Sequence, residues 1–143
     1  MQPAGPLSGA PPGLNPNAAP VTSPAVNDSG APLNVGDIVI RGTAVDNSVV
    51  LTSAPGARAG VQAVVQGGNN GETILLAETG TFLVNVTGAV ARGDYIESSG
   101  TPGVAAPQGL PFPVPGCFAV AVAEKISPAP GLVLCRRYCQ EGF

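Results

Sequence analysis

The chain has 143 residues, enough for one domain or one domain with a tail, and a net charge of −3 with only 10% charged residues. That balance leaves no basic footprint for nucleic acid and no polybasic patch for an anionic membrane. Twenty glycines and sixteen prolines argue against long helices. With 4% aromatic residues and no Trp, the core must be built from Val, Leu, Ile and Ala, a thin core that self-association would complete.

Residues 1–32 hold eight of the prolines, among Ala, Gly, Asn and Ser, with no basic side chain and no periodicity. Such a segment cannot bury enough apolar surface to offset its ordering entropy, so it is expected to be an extended arm, with a passive tail as the alternative. The N-terminus carries no positively charged region followed by an apolar one, and no apolar run approaches the length of a membrane span. The expectation is a protein synthesised in the cytoplasm.

The folded part, residues 33–143, reads as a series of short strands. Asn34 to Asp37 is a turn, Ile38 to Ile40 a strand, and Val49 to Thr52 a second. Val61 to Gln66 is a third, closed by the glycine- and asparagine-rich Gly67–Gly71, expected to be a mobile loop. Glu72 to Glu78 fits a strand or a helical turn. Phe82, Val84 and Val86 alternate with Leu83 and Asn85, the period-two signature of a half-buried strand. Arg92-Gly93-Asp94 turns into Tyr95-Ile96-Glu97. Gly103 to Gly116 reads as a long loop anchored on the domain by Phe112 and Val114. Cys117 to Ile126 is expected to be a central strand, with Phe118, Val120 and Val122 on one face and alanines on the other. Leu132 to Tyr138 ends the fold. One internal echo is present: Gly36-Asp37 before Ile38-Val39 and Gly93-Asp94 before Tyr95-Ile96.

The chain offers little chemistry. It has no His, so the usual general base and the Ser-His-Asp and Cys-His arrangements are absent. The nine carboxylates are scattered singly, and Gly67–Gly71 lacks the phosphate-loop pattern. No catalytic, cofactor-binding or metal site is expected, and an enzyme is disfavoured. Four-ligand zinc binding would need carboxylates beside Cys117, Cys135 and Cys139. These three, an odd count, are expected to be reduced thiols, with a Cys135–Cys139 or Cys117–Cys135 bridge as the alternative. Arg92-Gly93-Asp94 spells an integrin tripeptide, but a β-turn entering a strand accounts for it. Asn85-Val86-Thr87 spells a glycosylation sequon, read here as a solvent-side strand residue. Arg136-Arg137 beside Tyr138 is read as a solvated strand end or an interface donor.

The order VGDIVIRG, AGVQAVVQGG, GTFLVNVTGAVARGDYIESSGTPG, CFAVAVAEKI and LVLC resembles the bacteriophage capsid decoration (cement) proteins and related head-fibre domains over about three-quarters of the chain. The Pro/Ala-rich arm looks most like those of phages of thermophilic bacteria. The resemblance implies an all-β fold, a small compact β-barrel or β-tulip-like domain with an extended N-terminal arm. It further implies a homotrimer bound to the major capsid protein on the outer surface of the shell, stabilising it, with the arm tying neighbours together. A tail-fibre or head-fibre domain for host-surface or glycan binding is the alternative. Sugar stacking would call for surface aromatics, and the chain offers only Tyr95, Tyr138 and four Phe.

Overall fold

A computed structural model describes residues 21–52, 54–57 and 60–138. Among these residues the regular secondary structure is ten strands and no helix, as the glycine and proline content requires. The strands are β1 (Val21–Asn27), β2 (Ile38–Arg41), β3 (Ser48–Leu51), β4 (Gln62–Gln66) and β5 (Thr73–Thr79), then β6 (Thr81–Val86), β7 (Tyr95–Ser98), β8 (Ala105–Pro107), β9 (Ala119–Ala121) and β10 (Gly131–Arg137). Gly80 alone separates β5 from β6.

The strands close into two five-stranded barrels, in the orders β1-β3-β2-β4-β5 and β6-β8-β7-β9-β10. The two orders are the same. In each barrel the first and third strands pair in parallel, and every other pair is antiparallel. The Gly-Asp echo is the sequence trace of this duplication. Asn34 N–H donates to Asp37 Oδ2 at 2.8 Å, and Ala91 N–H donates to Asp94 Oδ2 at 2.8 Å. Gly36 N–H reaches Val64 O at 2.9 Å, and Gly93 N–H reaches Ala121 O at 2.8 Å. The isolated bridge Leu33–Gly68 is matched by Val90–Lys125. Each glycine sits at φ near +90°, so each turn needs the residue that enters this region without strain.

Inward-facing Ala25, Leu33, Val39, Val49, Val64, Ile74 and Leu76 fill the first barrel. The second core is joined to the seam between the barrels. Phe82, Val84, Val86, Ile96, Phe118, Val133 and Cys135 of the second half pack with Ile38, Val61, Ala63 and Ala77 of the first. Backbone bonds stitch the same seam, with Asn85 N–H to Gly36 O at 2.8 Å, Ile38 N–H to Gly103 O at 3.0 Å and Gly103 N–H to Thr52 O at 2.9 Å. Gly36 lies against Leu132 so closely that a Cβ there would collide with its Cδ2.

Several expectations change. The boundary at residue 32 moves, because Val21–Asn27 is β1 and belongs to the first barrel. The earlier part of the expected arm, residues 1–20, lies outside the described residues. Glu72 to Glu78 resolves as strand β5. Gly103–Gly116 contains a strand, β8. The central strand expected over Cys117 to Ile126 is confined to Ala119–Ala121, and both of its faces are buried. Gly67–Gly71 is pinned rather than free-standing: Gly68 exchanges two backbone bonds with Leu33, and a Cβ on Gly67 would strike the Leu33 carbonyl. Its glycines serve a close backbone approach.

Candidate functional site

A barrel presents functional chemistry where inward-facing side chains reach its open end. In the first barrel, inward positions of β1, β2, β4 and β5 at one end carry Ser23, Arg41, Gln62 and Glu78. These four, with Pro24, Ala25, Asn47, Ser48, Val49 and Leu76, line a cleft of about 210 Å³. One oxygen of Glu78 accepts from Ser23 Oγ and, at 2.9 Å, from Gln62 Nε2. Asn47, the one non-glycine residue at positive φ among those described, donates from Nδ2 to Pro24 O at 3.2 Å and fixes the rim. The cleft is therefore mainly polar, with Ala25, Val49 and Leu76 buried beneath it.

The second barrel has the same end, but it is shut. In the strand register, Phe82 stands where the first barrel has Ser23, Ser98 where it has Arg41, and Ala119 where it has Gln62. All three are buried. Arg137, matching Glu78, donates from a guanidinium nitrogen to Val61 O of the first barrel at 3.1 Å. The loop after β3 seals the closure. Ser98 Oγ donates to Ala54 O at 2.5 Å and accepts from Ala57 N–H at 2.8 Å, while Gly56 N–H reaches Ser98 O at 2.9 Å.

The corresponding loop after β8 behaves differently. Its base is braced by Gln108, whose amide donates to Val114 O and accepts from Val114 N–H, both at 3.1 Å, and donates to Glu97 at 2.9 Å. Its tip carries Leu110 and Phe112, the latter 56% exposed. The expected docking of this loop is thus met by the half-buried Val114 but not by Phe112. At the other end of the second barrel, Lys125 Nζ donates to the carbonyls of Gly88, Ser127 and Ala129 at 2.6–2.7 Å and holds the turn that exposes Ile126. In the first barrel Asn27, fully buried, braces the matching end through Ala31 O and Gly68 O.

Among the described residues there is no group of three or more His, Cys, Asp or Glu that could hold a metal ion. Cys117 and Cys135 are buried and free, so the Cys117–Cys135 bridge does not form, while Cys139 lies outside the described residues. Burial pushes the Cys117 thiol up and the Cys135 thiol up to about 12, which keeps both neutral. Arg92-Gly93-Asp94 is the turn into β7, with Asp94 N–H bonded to Ala91 O at 3.0 Å and Arg92 Nε to Val122 O at 3.3 Å. Asn85 is half-buried on β6. Sequence reasoning missed the open mouth. Its signal was polar residues in phase with buried ones, in Gln62-x-Val64 and Leu76-x-Glu78.

No protein-family model matches the chain, and no curated protein matches it. Among solved structures, the chain is similar to the head fibre gp8.5 N base of bacteriophage phi29. The TM-score is 0.59 at 17% identity, over 82% of this chain and 93% of that one, so the likeness is one of fold.

Proposed function

We propose that the chain is a structural protein of a bacteriophage head, a decoration protein that binds the outer surface of the shell, contacts the major capsid protein and stabilises the shell as a homotrimer. The observation that carries this reading is the shared fold with the phi29 head-fibre base over nearly the whole of that chain. The resemblance in motif order points the same way. The chemistry is consistent with a scaffold, since burial in the described residues is spent on packing two barrels and holding neutral thiols. Residues 1–20 would tie neighbouring subunits, and many weak contacts around one shell would add through avidity. The reading assigns the chain no enzymatic activity.

A second reading is the base of a head fibre, which the solved neighbour favours by its own description. Both readings place the chain on the head and differ in what projects from it.

The test uses heads prepared without the chain and purified chain added back. The proposal expects co-sedimentation with the heads and a higher temperature of DNA release. Chain that stays in the supernatant, or binds without changing heat resistance, contradicts it as a stabiliser.

A further inference from the structure

Within the chain, one barrel closes the other. The loop after β3 of the first barrel bonds to Ser98 at the second barrel's mouth, and Phe82 fills that mouth from inside. This contact is head-to-tail, a loop of one unit on the mouth of the next. Each barrel has one such loop and one such mouth, so among the described residues the tandem leaves one of each unused. The unused loop follows β8 and exposes Leu110 and Phe112. The unused mouth belongs to the first barrel, where Ser23 stands in the place of Phe82 and leaves the 210 Å³ cleft.

We propose that the Leu110–Phe112 tip of one copy docks into the first-barrel mouth of a second copy, its aromatic ring taking the place that Phe82 takes in the second barrel. The buried side chains of Ala25, Val49 and Leu76 give the ring an apolar floor beneath the polar rim. Arg41 at the rim offers a guanidinium to lie over its face. The Gln108 brace holds the loop in shape before it binds, which lowers the ordering cost of association. Head-to-tail contacts repeat until a ring closes, so the interface makes a closed oligomer when the rotation allows it.

This interface rests on the self-association in the proposed function and not on where the chain sits on a head. Sedimentation velocity of the full chain, from micromolar to hundreds of micromolar, separates the two. The wild type should associate. Phe112→Asp, at an exposed site that cannot disturb the core, and Ser23→Phe, which fills the mouth from within, should each weaken association roughly tenfold or more. Ile126→Asp, at the other exposed turn, should leave it unchanged. Circular dichroism should show all three folded. A wild type that is monomeric throughout overturns the interface and leaves head attachment standing. Association that survives both Phe112→Asp and Ser23→Phe overturns this interface while leaving self-association in place.

Discussion

Thr52 is fully buried and its Oγ1 has no hydrogen-bond partner among the described residues, although its backbone N–H and carbonyl are both used, by Ile38 and Gly103. A buried polar atom left unpaired costs about 1–3 kcal/mol. Thr52→Val keeps the shape and removes the orphan, so denaturant titration should show equal or higher stability, by up to about 1–2 kcal/mol. Asp37 is the second residue whose environment matters. Burial raises its carboxyl above the ordinary value of 3.8, and the Asn34 N–H offsets only part of this. The folded chain holds that proton more tightly than the unfolded chain. Asp37 therefore favours the fold most below about pH 3.8, and this contribution is lost as pH rises through the raised value. Asp37→Asn keeps an acceptor for Asn34 and should gain on the wild type between pH 4 and 7; a constant stability difference across that range would refute the assignment. Cys117 and Cys135 should resist iodoacetamide at pH 8 in the native state and react once denaturant is added.

At the scale of the element, the duplicated turns provide a paired experiment. Gly36 and Gly93 share their φ and the N–H bond to the facing strand, and Gly36 O also accepts from Asn85 N–H across the seam. A Cβ at Gly93 meets nothing within 4 Å, whereas at Gly36 it strikes Leu132 Cδ2 and lies 3.2 Å from Asn85 N. Both alanine variants bear the backbone cost of about 1–2 kcal/mol, so the excess loss in Gly36→Ala measures the barrel seam. Equal losses would mean the seam yields freely.

The strands most legible in sequence were those with one buried and one freer face, as in Phe82–Val86. β1 was illegible because its inward residues are Ser23, Ala25 and Asn27, with Pro24 between. Pro24 is tolerated because its nitrogen, like the carbonyl that takes Asn47 Nδ2, faces the β3 side, where pairing begins only at Val26. β8 is three residues, Ala-Ala-Pro, too short for any periodicity. The closed ring fixed both strands where local pattern could not. The open mouth was hidden for a related reason, since Ser23 and Glu78 become one site only when β1 pairs with β5.

Across the whole molecule, the second barrel depends on the first for part of its core and for the closure of its mouth. Unfolding should therefore be a single transition that includes both. Removing residues 2–19 should leave it intact, because β1 starts at Val21. Removing residues 2–31 deletes β1, opens the first barrel and should abolish the cooperative transition in circular dichroism. A truncation at 31 that unfolds like the full chain would deny β1 its place in the ring.

The central claim is a position on a particle, and immunogold electron microscopy of virions purified from their native host reads it directly. With antibody against the chain, the account predicts gold distributed over the outside of the head. Gold confined to the tail, or virions free of label while the chain remains in the soluble lysate, would contradict it.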